Sequence, residues 1–363
     1  MEKLSLGLPT FYNDTFSCDV DVAKSLYSIA APVIILMTFV CNSLYIILIN
    51  YEKKERTASE FQCVCVVITN TLVGLCQLPV FIFFFNKDNV NKHVSIHWCY
   101  TYRIMGYVLP CMFHTASMWQ LVIYGIQRFC CNRWPFSALH WYKLGRFYKY
   151  TVIVFISSFL VHSCKLFDFT CDSGKAYSFR YRDGINSDIY ITFYQWFCGI
   201  FIQLIPCIIM TITCGLLVST LRVSFVRRKN LFKENSNGSA RNRIVTMKSC
   251  QPLGILMLLL CVEWPVTIRQ VAGLIRKDNS IFDCSGSSSI IPHFVQLVSF
   301  VMYLPVYLIL NFKLRRNFVT IIYDIKVKLI QYATPLKFTI VERNERWMLS
   351  NANKMNNQNM LHL

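Results

Sequence analysis

The sequence predicts an all-α membrane protein built as a bundle of seven transmembrane helices. Three observations predict it. Of 363 residues, 54% are hydrophobic and only 15% are charged, whereas a soluble domain carries about a quarter charged residues. Mean hydropathy is +0.40, and seven apolar runs are each long enough to cross ~30 Å of hydrocarbon. Lys and Arg also alternate from side to side between those runs. With 13 Gly and 11 Pro, a Gly- or Pro-rich disordered chain is excluded. Seventeen Cys would mark a disulfide scaffold in a short secreted chain, but most lie inside apolar runs, where Cys behaves as a small hydrophobe.

The spans are expected at 25–50, 60–85, 97–126, 148–167, 189–221, 249–275 and 288–312. The segment before the first, MEKLSLGLPTFYNDTF, lacks the basic start and apolar core of a cleavable signal peptide, so the first span is expected to direct insertion. The second follows a basic turn of Lys53, Lys54 and Arg56. The third is long and carries His114, Thr115 and, inside its outer part, Arg103. The fourth is the weakest, because Ser157, Ser158, His162 and Lys165 interrupt it; its existence follows from the opposite charge character of its flanks. The fifth contains Pro206, the sixth Glu263 and Pro265, and the seventh ends beyond Tyr307. This divides the chain into a tail (1–24), a bundle (25–312) and a C-terminal part.

Charge sets the orientation. Counting Arg128 and Lys149 at the loop margins, the loops after the first, third and fifth spans hold 3, 5 and 8 Lys and Arg, and the tail beyond Phe312 holds 9, so 25 of 37 lie on one side. The other side holds 9, and Arg103, Lys165 and Arg269 fall within spans. Basic loops stay in the cytoplasm, so the N-terminus is expected outside and the C-terminus inside, in a multi-pass protein of the plasma membrane. The net charge of +18 is thereby explained by lipid, and no nucleic acid is expected as a partner.

Four cysteines then face the oxidising side: Cys18, Cys99, Cys171 and Cys284. Four allow three pairings. Cys99–Cys171 with Cys18–Cys284 ties the long second outer loop to the bundle and the tail to the last loop; free Cys18 and Cys284 are the alternative. Asn13-Asp-Thr15 is an outer glycosylation sequon, whereas Asn237-Gly-Ser239 falls in a cytosolic loop.

No HExxH, GxSxG, Walker loop or dinucleotide turn is present, and no His pair shares a helix face with an acidic partner at metal spacing. Neither an enzyme nor a cofactor or metal is expected. Cys63-x-Cys65 and Cys130-Cys131 read as apolar filling or lipidation. A transporter or channel is the competing class, but no repeat relates the halves and the spans are poor in the charges that line a selective pore.

The motifs sharpen this. His114-Thr-Ala-Ser-Met-Trp119, followed by Gln127-Arg128-Phe129, resembles the third helix of the rhodopsin-like receptors for heterotrimeric G proteins. In particular it resembles the invertebrate myosuppressin, FMRFamide and sex-peptide receptor group. Pro135, seven residues after Arg128, matches the family proline of the second inner loop. Phe193-Tyr-Gln-Trp196 through Leu204-Ile-Pro206-Cys207 resembles the fifth helix of that group, and Glu263-Trp-Pro265 its Glu-Leu-Pro. Asn42 matches the family asparagine of the first span. Tyr307 to Arg316 is similar to the end of the seventh helix and the start of a surface helix, which implies a cytoplasmic amphipathic helix at 313–325 and a tail at 326–363. Asn70 stands at the family's span-two aspartate, and Tyr303 and Leu304 replace the Asn and Pro of NPxxY, so a sodium pocket is not implied. Similar divergence occurs in nematode chemosensory receptors related to this group.

The resemblance implies a receptor for an extracellular peptide, most simply an amidated neuropeptide, that signals to a heterotrimeric G protein; a nematode-type chemosensory receptor for a small molecule is the alternative. It assigns coupling to Gln127, Arg128, Phe129, Pro135 and Tyr307, with hinges at Pro206 and Pro265, since a proline removes a backbone bond and kinks its helix. Glu263 is the one acidic residue well inside a span, and an intramembrane carboxylate marks a functional site by default. Arg269 lies about 9 Å further along the axis at ~1.5 Å per residue and would reach Glu263 only by folding back. His114, Thr115, Gln195, Trp196 and His293 are placed around the outer cavity, each with a plain alternative as a satisfied core group.

Overall fold

The computed structural model describes residues 25–51, 57–86, 95–134, 143–167, 169–171, 179–181, 187–231, 238–276, 287–311 and 314–330. Among these, seven helical stretches follow in order: α1 (Leu26–Asn50), α2 (58–86), α3 (96–133), α4 (Leu144–Phe167), α5 (187–231), α6 (Gly238–Arg276) and α7 (287–310). An eighth helix, α8, covers 314–330 and forms part of a separate compact unit from Lys313 onward. It overlaps residues 313–325, where a surface helix was expected, and runs five residues further. The all-α reading needs one small addition: strands β1 (Phe169–Cys171) and β2 (Phe179–Tyr181) pair antiparallel, with Thr170 opposite Arg180. The face where α1 begins is called the first face below, and the face where it ends the second.

By length and apolarity five helices can cross a membrane, and α7, bent by 41° between Val301 and Tyr303, makes a sixth. Seven were expected; the exception is α3, for a physical reason. It packs against α2, α4, α5 and α6, and its inward Thr115, Ser117, Gln120 and Gln127 are all buried. A helix surrounded by protein needs less lipid-compatible surface, so it tolerates polar side chains that lower its hydropathy. Close packing is helped by Gly125, where a Cβ would come within 3.1 Å of Thr213 on α5 and 3.3 Å of Leu256 on α6.

The weakness of the fourth span has the converse explanation. Thr151, Ser158, His162 and Lys165 are buried on one face, while Val152, Ile153, Ile156, Phe159 and Leu160 are each more than half exposed. Apart from the exposed Ser157, the interruptions form one polar stripe turned inward, with the lipid-compatible side chains opposite.

Prolines shape the backbone in a way that kinks alone do not describe. Three π-helical turns, Leu26–Ala30, Tyr102–Val108 and Cys198–Leu204, each end two residues before a proline: Pro32, Pro110 and Pro206. In each, the N–H just past the turn donates five residues back, from Ala31 to Leu26, Leu109 to Ile104 and Ile205 to Ile200. Proline has no N–H and its ring crowds the carbonyl four residues earlier; a widened turn relieves that conflict. In α7 the bend sits where Pro305 would meet the carbonyl of Val301, again four residues back. Pro265 lies within the continuous helix α6.

Candidate functional site

The carboxylate of Glu263 is the centre of the bundle's polar chemistry. It is 1% exposed and draws groups from three other helices. Gln203 Nε2 on α5 donates to Oε2 at 3.2 Å, and Gln296 Nε2 on α7 donates to Oε1 at 3.1 Å. His114 Nε2 on α3 stands 3.6 Å from Oε2, and Gln296 Nε2 is 3.2 Å from both His114 ring nitrogens. Thr267, one turn along α6, donates to the Glu263 carbonyl at 2.8 Å and touches the Cys207 thiol at 3.3 Å. Gln203 lies in the widened turn before Pro206, so that proline bears directly on how Gln203 is presented.

Two further histidines flank this centre. His162 on α4 shares hydrogen bonds with Thr115 Oγ1 through Nε2 at 2.8 Å and with Tyr194 OH through Nδ1 at 3.0 Å, one ring nitrogen donating and the other accepting, which joins α3, α4 and α5. The Tyr194 ring lies under the Lys165 ammonium, 4.0 Å away, and Arg103 donates to the Lys165 carbonyl from Nη2 at 3.1 Å. A cation there suits the C-terminal end of α4. His293 on α7 meets Tyr27 OH at 3.2 Å and Gln77 Nε2 at 3.1 Å, joining α1 and α2. Because an amide nitrogen only donates, Nε2 of His293 accepts and Nδ1 carries the proton toward Tyr27.

The expected pocket residues thus separate. His114 joins the Glu263 cluster; Thr115 and His293 serve the neighbouring networks. Trp196 is 38% exposed, Gln195 and Arg269 are half-buried, and the indole of Trp264 donates to Thr211 at 2.9 Å. Gln203, Gln296, Gln77, His162 and Tyr194 escaped the sequence reading. The available signal was their polarity inside apolar runs, and for Gln296 its position one turn from His293.

Toward the second face, Arg128 donates from Nη2 to Ser59 on α2 and lies over the Tyr124 ring at 5.4 Å. Gln127 is buried, and Phe129 meets Trp134 edge-on at 5.8 Å. Tyr307 stacks obliquely on Tyr45 at 4.5 Å. Asn70 accepts from Ser117 at 2.7 Å, and Asn42 donates to Thr71 at 2.8 Å. Tyr45 OH, Tyr124 OH and Tyr303 OH are buried with no hydrogen-bond partner, which suits groups bridged by internal water.

Among the described residues no group of three His, Cys, Asp or Glu is arranged to hold a metal, and no disulfide joins the described cysteines. Asn13, Cys18, Pro135 and Cys284, and the side chains of Cys99 and Cys171, lie outside the described residues. The backbones of the last two belong to Ile96–Thr101 and β1, which are in contact.

This fold and its buried polar centre define a multi-pass, all-α membrane protein whose helices are tied across the bundle by side chains. No family model matches the chain. It is similar to the sex peptide receptor of Drosophila melanogaster, at 25% identity over 276 residues, 71% of this chain and 63% of that one. It is also similar to sex peptide receptor-related protein 2 of Caenorhabditis elegans, at 22% identity over 262 residues, 67% of this chain and 58% of that one. The chain spans less than two thirds of the length of either relative. The resemblance carried by its motifs to the sex-peptide receptor group therefore extends through most of its length.

Proposed function

We propose that this protein is a rhodopsin-like receptor of the plasma membrane, with its first face outside, that binds an extracellular peptide and signals to a heterotrimeric G protein. The observation that carries the reading is the Glu263 cluster: one buried carboxylate held by α3, α5 and α7, two residues before Pro265 on α6. A ligand group that replaces any of its three partners changes how α6 is held, and a bundle with two alternative sets of contacts is a two-state element. The similarity to the sex peptide receptor supports a peptide as the ligand. An amidated neuropeptide carrying an arginine suits a carboxylate, since Arg–carboxylate pairing is bidentate and selective.

In this reading Glu263 receives the arginine, while His114, Thr115, Gln195, Trp196, Arg269 and His293 surround the path to it. Glu263→Gln costs about 2–5 kcal/mol, roughly 30- to several-thousand-fold in potency. The test is dose–response for an Arg-containing amidated peptide and its citrulline analogue on both receptors. An equal loss for the two peptides would leave Glu263 as a resting-state contact. A small cationic chemosensory ligand is the second reading, favoured by the depth of the carboxylate, which is 1% exposed; selective activation by small amines and by no peptide would establish it.

A further inference from the structure

The start of α2 is fixed by a capping box. Glu60 N–H donates to Thr57 Oγ1 at 3.2 Å, and Thr57 N–H donates to the Glu60 carboxylate at 3.1 Å. This reciprocal pair satisfies two orphan donors and sets the direction of the first turn. Ser59 lies inside that turn, is buried, and accepts the hydrogen bond from Arg128.

No carboxylate among the described residues pairs with Arg128. Its Nε has no hydrogen-bond partner, and neither has the amide oxygen of the preceding Gln127. A glutamine carries no charge to set against a guanidinium, which stays protonated wherever it is placed. Its other neighbours are the Tyr124 ring, one turn back on α3, and the Cys63 and Cys131 thiols. When so few groups restrain a buried cation, each hydrogen bond has a large share in deciding where it points.

We propose that Ser59, aimed by the Thr57–Glu60 box, is the positioning residue that holds Arg128 across the second face at rest, in place of an acidic neighbour on α3. Its consequence for signalling rests on the receptor reading above; its consequence for geometry does not. The molecule carries its own reporter. Cys63 lies four residues beyond Ser59, on the same face of α2, buried and beside Arg128.

The experiment uses the full chain in cell membranes, with Ser59→Ala, Ser59→Thr, Thr57→Val and Arg128→Ala compared at matched expression. Alkylation of Cys63 by N-ethylmaleimide is followed by peptide mass spectrometry, alongside basal guanine-nucleotide exchange. Ser59→Ala frees the guanidinium to leave Cys63, and because the thiolate it favours is the species alkylated, the rate is expected to fall about threefold, the weight of one membrane-buried hydrogen bond, while basal exchange rises. Ser59→Thr keeps the hydroxyl and is expected to behave as the parent, with Thr57→Val intermediate. Parent-like alkylation in Ser59→Ala overturns the proposal, and so does an equal fall in Ser59→Thr, which would make the effect one of packing. Slower alkylation in Ser59→Ala alone, with basal exchange unchanged in every variant, upholds the positioning role and detaches it from the receptor reading.

Discussion

Histidine ties two neighbours when both ring nitrogens are engaged, and the bundle uses this at His162 and His293. His162 bridges Thr115 and Tyr194; His293 bridges Tyr27 and Gln77. Replacing His162 by Leu keeps the volume close but strands two hydroxyls in a low-dielectric interior. The expected loss is about 1–3 kcal/mol, seen as a lower thermal midpoint of the purified protein. Tyr194→Phe combined with His162→Leu should cost less than the two losses added, because they share one bond; full additivity would show that the bridge contributes nothing. At this scale the sequence was half legible. Glu263 and His114 stood out because charge and imidazole are rare in apolar runs. Gln203 and Gln296 did not, since a glutamine there forms no motif and acquires its role only when four helices converge.

At the scale of the element, the spans were legible to within a few residues at the ends facing α1's start, where apolar runs stop abruptly. They were less so at the second face, where α5 and α6 continue past their apolar parts to Leu231 and back to Gly238. The widened turns were not legible. A proline announces a missing hydrogen bond, and whether the chain kinks or inserts a residue into the turn depends on what the neighbouring helices require. Pro206 makes this testable. Pro206→Ala restores the missing N–H, and closing the wide turn to a regular one rotates the helix by about 100°. Gln203 then loses Glu263. The variant is expected to lose as much thermal stability as Gln203→Leu, and the double variant no more than either; a doubled loss would separate the proline from the amide.

For the whole molecule, the proposed orientation and the proposed Cys99–Cys171 pairing are each open to a direct test. An epitope at the N-terminus is expected to be stained on intact cells and one after Leu363 only after permeabilisation, from the split of 25 basic residues against 9. Staining of both ends on intact cells would remove the receptor reading. Cys99→Ala and Cys171→Ala are each expected to lower surface expression, with the double variant no worse than either, because β1 lies against the helix that carries Cys99. Additive losses would break the pairing. The polar stripe of α4 bears on how such a bundle is made. While the chain is being synthesised, α4 emerges before α5, so His162 and Lys165 have no Tyr194 to meet. Lys165, in the last turn of α4, can reach the interface with its long side chain in the meantime, whereas the His162 imidazole waits for its Tyr194 partner until α5 follows. The polar face of α4 is thus completed only by the helix that follows it in the chain.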